Sequence, residues 1–233
     1  MQVINSYITK NRPYSALKPV GIVLHETATP GATAMNERNY FNNNDVKASA
    51  NAFIDWYQVV VTIPFNEKSW HAAEPANSMF LGIELCRPAS HDPAKFQIVY
   101  NGAVEFFSNT FINNLKVTRV TKDNLMSHHE VSLRWHNTNH TDPDAYFKEY
   151  GKTVDGFRAD VQKAINAKIN PVQPEPPKEE NKVDNTPDAY AQAAVKKALD
   201  RGILKGDNGD YKLHSPLTRQ DFFVFLERLG LLK

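Results

Sequence analysis

The stretch PVQPEPPKEENKVDN, Pro171 to Asn185, decides how this chain is organised. It carries four prolines and six charged residues, and valine is its one apolar residue type. Proline fixes φ and lacks a backbone donor, so neither a helix nor a central strand runs through such a segment. It reads as a semi-stiff linker. The chain therefore divides into a unit over residues 1–170, a linker over 171–185 and a unit over 186–233. The first is long enough to bury a core of ordinary size; the second sits at the lower limit for folding alone.

Hydrophobic residues make up 41% and charged residues 23% of the 233, as in globular proteins. The net charge of +1 gives no field that would draw nucleic acid or anionic lipid, so no nucleic-acid partner is expected. The most apolar stretch, Val59 to Ile63, is far too short to span a bilayer, so no membrane insertion is expected. The opening MQVINSYITKNRPYSALKP has no apolar h-region, which predicts synthesis in the cytoplasm without a Sec-type signal peptide. Cys86 is the single cysteine and leaves no internal disulfide to form.

Within the first unit, Gly21 to Leu24 is a short apolar run that predicts a buried strand ending at His25. Ala34 to Phe41 predicts a helix, and Phe53 to Pro64 one or two strands. Leu81 to Cys86 alternates, with Leu81, Ile83 and Leu85 on one face and Gly82, Glu84 and Cys86 on the other. Val99 to Leu115 and Val154 to Ile165 carry apolar residues at helical spacing. Strands interleaved with helices predict an α/β fold, a central mixed β-sheet flanked by helices.

Catalytic zinc takes three protein ligands and keeps one position open. No HExxH pair is present, so ligands would come from separate segments. His25 ends a strand beside a Thr/Ala/Pro/Gly loop, placed either as a rim ligand or as an ordinary surface histidine. His128 and His129 are adjacent and point different ways, so one of them at most faces His25. Asp142 precedes Pro143, which biases it to extended backbone. Glu84 lies mid-strand among apolar neighbours, where a carboxylate needs a partner or a task. It is either a proton acceptor in a cleft or one half of a buried salt bridge to Arg87 or Arg38.

Taken in order, these segments resemble the type 2 N-acetylmuramoyl-L-alanine amidases, a family that includes phage endolysins and is related to peptidoglycan recognition proteins. VLHETATPGATA resembles its opening strand, SANAFID its second, KSWHAAEPANSMFLGIEL its tryptophan-histidine and glutamate block, and SHHEV with HTDP its closing ligand segments. The resemblance implies Zn²⁺ held by His25, His128 and Asp142, with Glu84 as acid/base and His140 steadying the oxyanion. It implies that Trp70, His71 and Asn77 line the substrate cleft. Several positions depart from the family. Ala50, Asn51 and Ala52 stand where tyrosine, histidine and an aromatic are common, and Ala73 where glycine is usual. Leu133 to Asn139 looks like an inserted loop. It places Trp135, His136 and Asn137 near substrate and makes His136 and Asp144 rival ligands. The implied activity is cleavage between N-acetylmuramic acid and L-alanine by a phage or prophage endolysin acting at the wall after release. A bacterial autolysin and a non-catalytic peptidoglycan-binding module are the alternatives.

The C-terminal unit carries Ala191, Ala194, Val195, Ala198 and Leu199 as one helix stripe closed by Gly202. A Gly/Asp/Asn-rich loop follows over Lys205 to Tyr211, and Thr218 with Asp221 opens a second helix bearing Phe222, Phe223, Leu226 and Leu229. The runs AVKKALDRGILKGDNG and LTRQD resemble one S-layer-homology repeat, with Tyr190 where tryptophan is common. The resemblance implies binding of a secondary cell-wall polymer. Arg219 either meets that anionic polymer or rests on a solvated face. A single copy implies self-association to complete a binding pocket.

Overall fold

The computed structural model describes residues 1–170, 185–206, 210–217 and 219–231. The chain divides into two compact units, Met1–Pro171 and Val172–Lys233. The expected linker lies outside the described residues except for Asn185, and so do the cap residue Thr218 and part of the loop before it.

Six strands of the first unit form one sheet: β1 (Gln2–Asn5), β2 (Gly21–Glu26), β3 (Ala52–Ile54), β4 (Gln58–Val61), β5 (Phe80–Leu85) and β6 (Leu125–Ser127). Their order across the sheet is β1-β4-β3-β5-β2-β6. The pair β3–β4 is antiparallel and the other neighbours are parallel, so the sheet is mixed, as expected. Five helices flank it: α1 (Ala34–Asn43), α2 (Pro93–Thr110), α3 (His128–Trp135), α4 (Asp144–Glu149) and α5 (Val154–Ile169).

Alternation along β2 and β5 sorts their side chains between two faces. Ile22, Leu24, Leu81, Ile83 and Leu85 turn to the rear, where they meet Val99 and Phe107 of α2 and Phe157 and Val161 of α5 in the main core. Each such buried side chain contributes about 1.5–3 kcal/mol. The front face carries a smaller cluster of Val23, Ala72, Phe80, Met126 and Val131. Beside it Ala34, Phe53, Val60 and Cys86 pack together.

Local chemistry sets several boundaries that differ from expectation. The second long helix starts at Pro93 because Asp92 caps it, accepting from the Lys95 amide; it is longer than the stripe from Val99 predicts. It runs into a π-helical turn, Phe111–Leu115, which stops at Lys116 in the left-handed region. The expected inserted loop from Leu133 is helical through Trp135. Ser127 and Glu130 form a capping box that starts α3, and His136 at φ +56° ends it. Trp135 packs against Phe80 with ring centroids 6.1 Å apart, so its indole serves the front cluster.

In the second unit, α6 (Gln192–Asp200) stops before Gly202 at φ +66°, the cap position read from sequence. The second helix, α7 (Arg219–Arg228), carries Phe222 and Phe223, both exposed. Neither helix contains a buried residue. Among the described residues no helix is long and apolar enough to cross a membrane.

Candidate metal centre

The parallel strands β2, β5 and β6 deliver the site at their carboxyl ends, where α/β sheets place ligands. His25 on β2 is the register partner of Glu84 on β5, so both side chains project from the front face side by side. Ser127 pairs with Leu24 and caps α3, which brings His128 out next to His25 as the first residue of that helix. The Asp142 loop is tied to the same helix. The His129 amide donates to the Asp142 carbonyl at 3.1 Å, and the Ser132 hydroxyl donates to the His140 carbonyl at 2.9 Å.

His25, His128 and Asp142 each offer a ligand atom, and these atoms lie within 4.8 Å of one another. The two Nδ1 atoms face opposite oxygens of the Asp142 carboxylate, each at 3.1 Å. Two buried imidazoles and one carboxylate form a mixed N/O donor set of the kind that suits zinc. The rival ligands stand elsewhere: Asp144 pairs with His129 at 2.6 Å, and His136 caps the end of α3. His129 thus turns away from the cluster, as adjacent histidines on a helix must. His140 stacks on His128 with ring centroids 4.3 Å apart, at the exposed mouth of the group.

Glu84 has neither salt bridge offered as the alternative reading. Arg87 pairs instead with Glu26 and Glu149, and the Arg38 guanidinium donates to the Ser6 and Tyr7 carbonyls and the Asn39 side chain. Glu84 Oε2 is buried without a hydrogen-bond partner. An unpaired buried oxygen is expensive unless a ligand or water group meets it, which fits a bound metal with its water. Burial pushes the Glu84 carboxyl well above its ordinary value, and Asp142, Glu26 and Glu37 add to it. Burial works the same way on Asp142, but hydrogen bonds with His128 and His25 outweigh it and hold that carboxyl below the usual range. His25 is lowered by burial against the pull of Asp142. Neutral imidazoles and an ionised carboxylate are the forms a metal needs.

A cleft of about 610 Å³ opens over this group, with Thr29, Tyr40, Trp70 and Glu84 in its walls. A second of about 510 Å³ shares Trp70, His71, His128 and His140 and continues past Asn77 and Asn137. The predicted lining residues differ in what they do. Trp70 is partly exposed at the junction. Asn77 is buried and its carboxamide oxygen accepts from the His71 and Ala72 amides at 3.0 and 2.8 Å, which shapes the loop itself. Asn137 donates to the Glu74 carbonyl across the second cleft. His71 lies behind His25 as well as in the cleft wall.

The departures acquire reasons. Asn51 is fully buried: its oxygen accepts from the Ser69 hydroxyl and the Gly82 amide, and its nitrogen donates to the Glu67 carbonyl. It joins the start of β3 to β5 and to the loop before Trp70. Ala73 sits at φ +57°, a left-handed position that explains why glycine is usual there. Two carboxyls were missed. Glu26 lines the cleft and is raised to about 7 by burial, with Arg87 pulling against it. Glu37 also lines it and accepts from the Thr29 hydroxyl. Its signal was legible: Ala34, Glu37 and Phe41 share one helix face, so a carboxylate stands in an apolar stripe.

The likeness to known proteins runs through this same region. Protein Ami of Listeria monocytogenes is 33% identical over 144 residues, 60% of this chain and 16% of its own length. A probable N-acetylmuramoyl-L-alanine amidase of Bacillus licheniformis is 30% identical over 187 residues, 72% of this chain and 49% of its own. The chain therefore spans at most half the length of either relative. The crystal structure of the hydrolase AmiA of Staphylococcus aureus shares the fold with a TM-score of 0.68 at 24% identity, covering 75% of this chain and 88% of that one. The family model described as N-acetylmuramoyl-L-alanine amidase matches residues 15–145, a span that holds every donor and carboxylate of the cleft from His25 to Asp142. With more than half of its length inside that match, the chain belongs to the N-acetylmuramoyl-L-alanine amidase family, Amidase_2.

Proposed function

We propose that the Met1–Pro171 unit is a zinc-dependent hydrolase of bacterial peptidoglycan that cuts the amide between N-acetylmuramic acid and L-alanine. The observation that carries this reading is the three-donor group of His25, His128 and Asp142 beside the unpartnered carboxylate of Glu84. Bound there, zinc would supply a Lewis acid that polarises the amide carbonyl and makes water acidic. Glu84 Oε2 takes the proton of the attacking water and hands it to the leaving alanine nitrogen as the C–N bond breaks. Burial raises the Glu84 carboxyl, which favours its uptake of a proton from water. His140, exposed at the mouth and stacked on His128, donates a hydrogen bond to the tetrahedral oxyanion. Trp70 and the walls of the two connected clefts hold the glycan and peptide on either side of the scissile bond.

The test is product analysis on purified walls. New N-terminal alanine without new reducing sugar is the expected product, and its absence with a zinc-loaded protein sinks the reading. It also separates an enzyme from a module that only holds peptidoglycan.

For the second unit we propose attachment to a secondary cell-wall polymer as an S-layer-homology-like repeat. Exposed Arg219 at the start of α7 would meet the anionic polymer, and self-association would cover a unit whose helices bury nothing. Co-sedimentation of the full chain with walls should weaken on Arg219→Ala, and unchanged binding removes that residue from the account. We place the reaction at the wall in phage or prophage lysis, after release from the cytoplasm. Expression following vegetative growth rather than prophage induction would make the enzyme an autolysin.

A further inference from the structure

His71 stands directly behind the donor group without belonging to it. Its Nε2 lies 3.2 Å from the Phe80 carbonyl oxygen. Its Nδ1 lies 3.0 Å from His25 Nε2. A carbonyl oxygen only accepts, so His71 Nε2 carries the hydrogen and Nδ1 of the neutral ring is left as an acceptor. His25 Nε2 then donates to it. In that tautomer the lone pair of His25 falls on Nδ1, and with a metal bound Nδ1 and the Asp142 carboxylate that faces it would both be donors to the ion in place of their mutual hydrogen bond. The fold has built a seat for this ring. A Cβ on Gly82 would come within 2.4 Å of the His71 ring carbon Cγ, so the glycine leaves the space the imidazole occupies. Asn77 fixes the backbone of His71 and Ala72 from the other side. The two rings meet edge-on at 89° with centroids 5.2 Å apart, the orientation that lets an N–H point into a ring nitrogen.

We propose that His71 is a positioning residue whose hydrogen bond to His25 selects the tautomer that makes His25 Nδ1 a metal donor. The proposal rests on the reading of the cluster as a metal site. It gives His71 a task that its place in the cleft wall does not require, and it makes the Phe80 carbonyl, His71 and His25 one oriented chain. Partners of this kind typically change metal affinity by about 10–100-fold.

The experiment is a zinc affinity measurement on the full chain by competition with a chromophoric chelator at fixed pH, beside the melting temperature of the metal-free protein. Three variants divide the functions of the ring. His71→Asn sets a carboxamide oxygen near the Nδ1 position and retains the acceptor. His71→Gln reaches the Nε2 position and retains only the donor to Phe80. His71→Phe retains the shape and neither bond. The expected result is zinc binding weakened about 10–100-fold in His71→Gln and His71→Phe, and within about threefold of wild type in His71→Asn. Equal affinity in all four proteins overturns the proposal while leaving the metal reading intact. Loss in all three variants, His71→Asn included, or loss that tracks the metal-free melting temperature, shows a merely structural role and overturns it too. A wild-type chain that binds no zinc overturns the metal reading, and the proposal with it.

Discussion

The two faces of the sheet are made from the same strands under opposite rules. At the rear, Leu24, Leu81, Ile83 and Leu85 meet α2 and α5 through apolar side chains that are fully buried. At the front, the alternate positions of β2 and β5 carry Val23, His25, Gly82 and Glu84, so apolar packing is confined to the lower part and charge collects at the carboxyl ends. The front tolerates a buried carboxyl oxygen with no partner and a glycine that a side chain would overfill. Such features each cost free energy. The rear face thus supplies stability, and the front face uses some of it to hold a reactive arrangement in place.

The largest effect is expected at Glu84. Glu84→Gln should lower kcat by about 10²–10⁴-fold, with zinc content unchanged, because the proton carrier is lost and the donors are kept. The metal-free variant should be no less stable than wild type, since a neutral carboxamide replaces a carboxyl whose charged form burial penalises. A variant that melts earlier and keeps its activity would mean that Glu84 is a packing residue. The mirror change is Phe107→Ala at the rear, where the side chain is fully buried. It should cost about 3–5 kcal/mol in denaturant unfolding while the folded fraction keeps its kcat. A loss of kcat in folded protein would show that the faces are not independent.

A smaller effect concerns pH. Glu26 is raised from its ordinary 4.5 to about 7 by burial, opposed by Arg87. A carboxyl raised in the folded state gives stability that is complete below about 4.5 and is lost as pH climbs through about 7. Metal-free protein should therefore lose stability across that window, and Glu26→Gln should flatten the decline. Equal slopes in the two proteins would remove Glu26 from the account. The smallest change is at the loop below the cleft. Ala73→Gly relieves a left-handed alanine at φ +57° and should raise stability by about 1 kcal/mol or less, measured by thermal unfolding. A fall would mean that the methyl group packs.

Sequence carried the front face unevenly. His25, Glu84, His128 and Asp142 were legible because each lies in a short segment whose order along the chain is characteristic, and alternation on β5 already set Glu84 apart from Leu81, Ile83 and Leu85. The mixed sheet was legible from apolar runs, while the edge strand β1 and the short helix α4 were not, since QVIN and DAYFKE carry no period long enough to read. Leu133 to Trp135 read as loop because the capping box lies upstream, at Ser127 and Glu130, and governs where α3 begins. Partners were hardest to see. Nothing local says that Arg87 pairs with Glu26 and not with Glu84, or that His71 abuts His25, 46 positions away; both follow from register between β2 and β5 and from the space left by Gly82.

If one metal held by His25, His128 and Asp142 is the source of activity, metal content and wall cleavage rise and fall together. Native mass spectrometry during a chelator titration, run beside release of N-terminal alanine from walls, tests it most directly. One zinc per chain is expected, with activity falling in proportion to zinc removed, recovery on adding one equivalent back, and neither zinc nor activity in Asp142→Ala. Wall cleavage that persists in zinc-free protein, or full zinc occupancy in Asp142→Ala, would contradict it.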